Sequence, residues 1–348
     1  MAMTSSLNHK RPLLAALKGE SQWPRPVWLM RQAGRYLPEY RQLRADKGGF
    51  LDLCDDPAAA TEVTLQPIRR YGFDGSILFS DILTIPRALG QALHFSTGEG
   101  PVLGDLPQVA DMLAQQQSGE AKGLLAPAYE ALGLIRNALP HETTLIGFAG
   151  APWTLATYMI EGGASKGYPK AKSMVYGDPA GFRALIDLLI EAVSDHLIAQ
   201  IAAGADAVMV FDSWAGSLDP RAQVDWSAGP LSAITAKIRE HHMHVPVILF
   251  PRRAPFAAHA LSGQHSLVTL QVDFADDLRN AATLDFTAIQ GNLDPGRLLA
   301  GKAEIVPATQ RVIDAVPRDR SHVFNLGHGI LKETDPEAVN QLLETIRG

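Results

Sequence analysis

The sequence predicts an α/β fold in one domain, with eight parallel strands alternating with helices and closing into a (β/α)8 barrel of the TIM type. Short apolar runs recur along the whole chain, and stretches of helical periodicity separate them. Continuous apolarity is typical of parallel strands that are buried on both faces. Because 348 residues suit such a barrel with loop insertions, we expect one domain over 1–348, with 1–8 as a loose N-terminal tail.

Eight apolar runs rich in β-branched or aromatic residues mark the predicted strands. The periodicity between them is clearest from about Ala180 to Ala203, where leucines recur at three- and four-residue spacing on one stripe. In chain order the runs are 27–30, 76–79, 144–149, 207–212, 245–250, 267–272, 286–291 and 322–327.

Several helix starts are predicted by an Asp-Pro pair. An aspartate can cap the first turn, and a proline at the first helical position needs no hydrogen-bond donor. These pairs are therefore structural signals, and they begin at Asp56, Asp178, Asp219, Asp294 and Asp335.

Two alternative architectures find little support in the sequence. A doubly wound open sheet that binds nucleotides would carry a G-x-G-x-x-G or G-x-x-x-x-G-K-[ST] motif, and no predicted strand is followed by either. Residues 143–160 carry no charge and match the length of a membrane span, but glycine, proline and threonine interrupt them. We interpret this stretch as a strand that runs into a helix.

Composition limits the classes of function. A net charge of -6 and a pI near 6.0 argue against nonspecific nucleic-acid binding and against a membrane-surface role. The single cysteine, Cys54, excludes an intrachain disulfide and fits a reducing cytoplasm. The histidines at 241, 242 and 244 resemble a metal tract, but they precede a strand on the face opposite the expected site. We therefore expect no metal there.

Polar residues follow most of the predicted strands. In a barrel, the loops after the strands converge over the axis and carry the chemistry. A general tendency of polar residues to occur at strand ends would be enough to explain the aspartates and the serine. It explains less well an arginine directly after the first strand and a histidine between glycines. The residues just past the runs are Arg31, Asp81, 150–153, Asp212, Ser213, Pro251, Arg252, Asp273, Asn292 and His328.

Arginines concentrate around the first strand. Between residues 25 and 44 the chain has five arginines and no lysine, namely Arg25, Arg31, Arg35, Arg41 and Arg44. The planar guanidinium pairs bidentately with carboxylate or phosphate, and Gly34 would let backbone approach a ligand closely. An acidic chain that concentrates arginine in this way is expected to bind an acidic small molecule there, although a solvated basic helix face is the simpler alternative.

Other single residues have a structural and a functional interpretation. Asp81 lies among apolar residues, where it would either form a salt bridge or accept several N–H bonds from a ligand. Tyr158 could be a core aromatic, and Ser213 a helix cap. His328, flanked by glycines, suggests an open loop.

Six collinear segments give the chain a resemblance to the uroporphyrinogen decarboxylase family from about residue 8 to the C-terminus. They are WLMRQAGRYLPEYR, EVTLQPIRRYGFDGSILFSDIL, GFAGAPWTLATYMIEGG, FDSWAG, QGNLDP and FNLGHGI. The resemblance implies a (β/α)8 barrel, usually a homodimer in the cytoplasm. It also implies an enzyme of haem biosynthesis that removes four acetate carboxyls from uroporphyrinogen without cofactor or metal.

The resemblance also implies roles for single residues. The segment from Arg31 through Gln32, Ala33 and Gly34 to Arg35 would bind the substrate, with Arg31 and Arg35 on its carboxylates. Arg44 would have a supporting or catalytic role. Asp81 would lie at the centre of the macrocycle, and Tyr158, Ser213 and His328 would complete the pocket. We expect Asp81, Arg31 and Tyr158 to be catalytic, with the general acid open between Arg31 and Tyr158.

Two departures from the family pattern and two rival functions stay open. The segment at 250–255, FPRRAP, replaces a more usual lysine-glycine pair, and Phe274 replaces a common tryptophan. One rival is a related barrel that transfers methyl groups to a corrinoid or thiol on zinc, which a single cysteine does not favour. The other is a tetrapyrrole-binding protein without catalysis, which Asp81, Arg31 and Tyr158 argue against.

Overall fold

A computed structural model describes residues 11–96 and 100–348 of the chain. The predicted N-terminal tail, 1–8, lies outside the described residues. The described residues form a curled parallel sheet with helices packed around it.

Nine strands are assigned within the described residues. Seven form the parallel sheet, and β2 and β3 form a separate antiparallel hairpin. The strands are β1 Gly75–Ile77, β2 Leu93–Ser96, β3 Gly100–Leu103, β4 Thr144–Gly150, β5 Ala207–Asp212, β6 Val247–Pro251, β7 Val268–Gln271, β8 Ala288–Leu293 and β9 His322–Leu326.

The sheet closes through the first predicted strand. Its order is β1-β4-β5-β6-β7-β8-β9. Val27 forms an isolated parallel bridge with Phe324 of β9 and accepts a hydrogen bond from the Asp74 N–H at 3.0 Å, next to β1. The segment 27–30 therefore occupies the eighth position between β9 and β1, as a bridge and not as a regular strand, and the predicted (β/α)8 barrel is confirmed.

Sixteen α-helices are assigned within the described part of the chain, with short 3-10 or π turns between some of them. They are α1 Pro12–Leu17, α2 Pro38–Lys47, α3 Phe50–Asp55, α4 Pro57–Tyr71, α5 Thr84–Ala88, α6 Val109–Ser118, α7 Glu120–Ala138, α8 Pro152–Glu161, α9 Pro169–Gly177, α10 Pro179–Ala202, α11 Pro220–Gln223, α12 Gly229–His241, α13 Pro255–Leu261, α14 Leu278–Ala281, α15 Lys302–Ala315 and α16 Pro336–Arg347.

The predicted helix signals are confirmed. The long amphipathic helix is α10, and all five aspartates of the Asp-Pro pairs accept a backbone N–H at a helix start. The uncharged stretch 143–160 is β4 followed by α8, which ends at Gly162 in a left-handed conformation. In the parts of the chain that the structure describes, no helix combines the length and apolarity that a bilayer crossing needs.

The barrel interior is filled by large apolar side chains. Trp28 and Phe250 belong to this interior cluster, and Leu13 and Leu17 of α1 pack into the same cluster. A Cβ on Gly75 would lie 2.4 Å from a methyl of Leu13, so α1 reaches the strands and covers one end of the barrel. Because α1 precedes the first strand, the end that it covers is the amino end of the strands. The connecting loops cover the carboxyl ends.

Candidate active site

Arg31 directly follows the segment that closes the barrel and lies against the loop after β9. Its backbone has φ 62°, a left-handed conformation that is uncommon for a residue with a side chain. A Cβ on Gly329 would lie 2.3 Å from Cδ of Arg31, so the absence of a side chain at 329 makes room for the arginine. Arg31 is nevertheless exposed to solvent.

The turn after Arg31 is held by Gln32. This side chain is buried, accepts the Leu29 N–H at 3.1 Å and donates to the Gly75 carbonyl at 3.1 Å. Its amide groups are therefore used within the protein, and a contact between Gln32 and substrate stays a prediction. The backbone N–H groups of Ala33 and Gly34 have no hydrogen-bond acceptor among the described residues. Successive N–H groups of this kind can bind an anion.

Arg35 and Arg44 lack a carboxylate partner in the described chain. Arg35 is exposed, and Arg44 is half-buried with Cζ 5.8 Å from the ring centroid of Phe50. In contrast, Arg25 donates to backbone carbonyls before β9, and Arg41 donates to carbonyls of the turn. The arginine-rich stretch is thus divided between structural arginines and arginines that could bind an external anion.

Asp81 lies four residues beyond β1 and is not paired with an arginine. Its Oδ1 accepts the Leu83 N–H at 2.8 Å, which fixes the carboxylate, and no arginine of residues 11–96 or 100–348 forms an ion pair with it. Burial raises the pKa of the Asp81 carboxyl, while the Leu83 N–H and the charge of Arg31 act in the opposite direction. The second carboxylate oxygen is therefore available to a ligand.

Tyr158 on α8 completes the group around Asp81. Burial raises the pKa of the Tyr158 phenol, the charge of Asp81 raises it further, and Trp214 and Arg31 lower it. The rings of Tyr158 and Trp214 lie 6.0 Å apart between centroids at a tilt of 55°. Ser213 directly precedes Trp214 and follows β5, so the structure places it next to this aromatic pair.

His328 lies between the two glycines that follow β9. Burial lowers the pKa of His328 to about 4, and the charges of Arg252 and Arg31 add to this effect. The imidazole is therefore neutral at physiological pH, and it can donate one hydrogen bond and accept another. His328 therefore lies beside Arg31, and its place in a substrate pocket stays a prediction.

The other aspartates and the asparagine at strand ends have structural roles. Asp212 is fully buried and accepts hydrogen bonds from Thr154 at 2.6 Å and Ser227 at 2.5 Å. Burial raises the pKa of Asp212 to about 6, and the two hydroxyls limit the increase. Asn292 donates to backbone carbonyls of the β7 loop. Neither side chain is free to meet a ligand.

Sequence reasoning did not assign Arg252 to the site. The structure places its charge close enough to influence the titration of both Arg31 and His328. The sequence does depart from the family pattern at 250–255. However, the direction in which the Arg252 side chain points depends on tertiary packing. Tyr168 was also missed, and its ring lies 5.5 Å from that of Trp214.

The described residues do not form a metal centre of the usual kind. Within residues 11–96 and 100–348, no group of three or more His, Cys, Asp or Glu side chains could hold a metal ion. Cys54 is buried, and burial raises the pKa of its thiol well above the usual range.

Comparison with known sequences places this chain in a family. The profile of the family described as "Uroporphyrinogen decarboxylase (URO-D)" matches residues 8–348. The chain is 49% identical to the uroporphyrinogen decarboxylase of Rhizorhabdus wittichii over 341 residues, which cover 97% of this chain and 98% of the relative. It is 48% identical to that of Paracoccus denitrificans over 341 residues, covering 97% and 99%.

The fold also resembles a solved structure of a different kind. A methyltransferase from Methanosarcina mazei superposes with a TM-score of 0.76 at 18% identity, covering 97% of this chain and 98% of the other. At this identity the likeness concerns the fold alone. The profile match and the similarity to curated relatives over nearly the whole length together show that this chain belongs to the uroporphyrinogen decarboxylase family.

Proposed function

We propose that the protein removes the four acetate carboxyls of uroporphyrinogen III to give coproporphyrinogen III, as a carboxy-lyase of porphyrin and haem biosynthesis. Family membership over residues 8–348 supports this activity. The single structural observation that carries the proposal is Asp81, a fixed carboxylate without an arginine partner in the described chain, beside Arg31 and Tyr158.

Substrate binding follows from the unpaired donors. The substrate carries eight carboxylates, and a protein of net charge -6 needs a local cationic surface to hold it. Arg31, Arg35 and Arg44 would supply that surface, with the N–H groups of Ala33 and Gly34 between them. A carboxylate bound at this turn would accept charge-assisted hydrogen bonds, each contributing about 1.5–3 kcal/mol.

Asp81 would face the centre of the macrocycle. A reduced, nonplanar tetrapyrrole can tilt its four pyrrole N–H groups toward one side, where the carboxylate accepts them. The pyrrole N–H groups would then replace the hydrogen bonds to water that the Asp81 carboxylate loses through partial burial.

The reaction requires protonation of a pyrrole carbon next to the acetate. The protonated ring is an electron sink, so the acetate loses carbon dioxide and leaves an enamine with an exocyclic methylene. The methylene takes a proton to become a methyl group, and the ring carbon then releases the proton that it gained first, which restores the pyrrole. Positive charge develops on the ring nitrogens during this sequence, and the fixed anion of Asp81 stabilises it. The substrate thus supplies its own sink.

Arg31 and Tyr158 are the two candidates for the general acid, and neither is a strong proton donor at neutral pH. The phenol of Tyr158 has a raised pKa, and a guanidinium is a weak donor at neutral pH. We therefore infer that the proton comes from water or from a substrate carboxyl held by Arg31, with Tyr158 orienting the ring. Ser213 and His328 would contact the macrocycle through their neutral polar groups.

We further propose that residues 1–348 act as one domain, in a cytoplasmic homodimer that binds neither nucleic acid nor membrane. Analytical ultracentrifugation tests the dimer. Incubation with uroporphyrinogen under anaerobic conditions, with products separated by carboxyl number, tests the function. Stepwise loss of four carboxyls supports it, while binding without products would favour a carrier, and methyl transfer would favour the other barrel enzymes.

A further inference from the structure

Two arginines that follow β6 share one buried carboxylate. The Nε of Arg252 lies 2.7 Å from Oδ2 of Asp273, and the Nε of Arg253 lies 3.2 Å from its Oδ1. The Asp273 side chain is 0% exposed, so this ion-pair cluster is anchored in the fold. Two cations on one anion leave a local excess of positive charge.

The cluster keeps unused donors. Each guanidinium binds Asp273 through Nε, and the terminal amino groups of Arg252 and Arg253 have no acceptor among the described residues. The guanidinium fork carries five N–H donors. Because the Arg253 side chain is 51% exposed, its remaining donors are open to a ligand.

A chain of contacts places the cluster at the active site. Cζ of Arg253 lies 5.4 Å from the ring centroid of Phe274, and a Cβ on Gly327 would lie 2.1 Å from the Phe274 backbone nitrogen. Gly327 and Gly329 flank His328, and Gly329 receives Arg31. The two arginines therefore lie near the loop that carries His328, which also contacts Arg31. The lowering of the His328 pKa by Arg252 agrees with this placement.

We propose that Arg252 and Arg253 form a second carboxylate subsite beside His328, which binds a propionate of the macrocycle in addition to the carboxylates held by the Arg31–Arg35 segment. This inference rests on the proposed function. It assigns a partner to substrate carboxylates that the first subsite, formed by Arg31, Arg35 and Arg44, does not bind. Three guanidiniums, from Arg31, Arg35 and Arg44, cannot match eight carboxylates. A propionate is the suitable guest because it stays on the ring through all four decarboxylations, so one subsite serves every step.

Arg253→Gly tests the proposal with little risk to the fold. Arg253 has φ 54°, a conformation that glycine adopts without strain, and Arg252 continues to neutralise Asp273. Arg311→Ala is the matched control, because Arg311 is a 61% exposed arginine on α15 and its loss changes the net charge equally. Both variants and the unaltered protein are compared for melting temperature and for the Kd of coproporphyrinogen, which retains the propionates and is not decarboxylated further.

We expect Arg253→Gly to raise the Kd about tenfold and Arg311→Ala to change it less than twofold. An unchanged Kd in Arg253→Gly overturns the subsite, whether or not the melting temperature falls. If the glycine variant is too unstable to measure, Arg253→Gln is used, because glutamine resembles arginine in its backbone preferences and lacks the charge. A raised Kd in this variant supports the subsite, and an unchanged Kd overturns it. The proposed function is assayed separately by turnover of uroporphyrinogen, so weakened product binding with no turnover in the unaltered protein would overturn the function and leave the subsite standing.

Discussion

The side chain of Arg31 lies across Gly329, so close that a methyl group at 329 would be 2.3 Å from Cδ of Arg31. This contact joins the segment that closes the barrel to the loop after β9. The orientation of the arginine is therefore set by a residue on the other side of the barrel seam. Any side chain at 329 must displace the guanidinium from its position beside Asp81.

Gly329→Ala tests the position of Arg31. Alanine fits the backbone here, so we expect an unchanged melting temperature and a loss of at least tenfold in kcat/KM. The measurement is steady-state decarboxylation of uroporphyrinogen together with thermal unfolding. Gly327→Ala is the contrasting variant, because its methyl would meet Phe274 backbone at 2.1 Å and should lower the melting temperature. Full activity in Gly329→Ala would show that Arg31 need not lie where the structure places it.

Arg35→Ala tests the binding role of the first subsite. Arg35 is exposed and has no carboxylate partner in the described residues, so its removal should leave stability unchanged. We expect KM to rise about tenfold with kcat nearly constant, since a carboxylate contact made equally in ground and transition states affects binding alone. Arg69→Ala on α4 is the control for lost charge. An unaltered KM would place Arg35 outside the pocket.

Tyr158→Phe tests proton delivery. The raised pKa of this phenol makes it a poor acid near neutral pH, so we expect turnover to fall by less than about tenfold. Single-turnover rates of the first decarboxylation provide the measurement. A fall of a thousandfold or more would identify the Tyr158 hydroxyl as the proton donor.

The pH dependence of stability tests the environment of His328. Its pKa is lowered to about 4 from an ordinary value of 6.5, so between these pH values the unfolded chain binds more protons than the folded protein. The free energy of unfolding therefore falls as pH drops from 6.5 toward 4, and this contribution is absent at pH 7. His328→Asn should show a shallower fall, measured by urea unfolding at several pH values. An equally steep fall in the variant would contradict the lowered pKa.

The barrel was predictable because its strands are buried on both faces and read as uninterrupted apolar runs. The first run was less regular than expected, since 27–30 meets β9 through a single bridge. The β2–β3 hairpin was missed, because its strands are short and Pro101 interrupts the β pattern. Local periodicity therefore reveals long buried strands, but it does not reveal how a short segment pairs with its neighbours.

The site was predictable where a residue type conflicted with its local context, as at Arg31 and His328. Sequence alone could not separate Arg25 and Arg41 from the binding arginines, because all of them lie in one stretch and differ only in where they point. It also could not place Arg252 beside His328, since β6 and β9 are far apart in sequence. Direction and long-range contact require the folded chain.

Asp81→Asn tests the central claim that a fixed negative charge stabilises the cationic ring. The asparagine oxygen can still accept the Leu83 N–H, so the local structure and the melting temperature should be preserved. The kcat for uroporphyrinogen and the Kd for coproporphyrinogen are measured on the same preparation. We predict a fall in kcat of roughly a hundred- to a thousandfold with a Kd changed by less than about tenfold. A variant that turns over uroporphyrinogen at a near-normal rate would contradict the account.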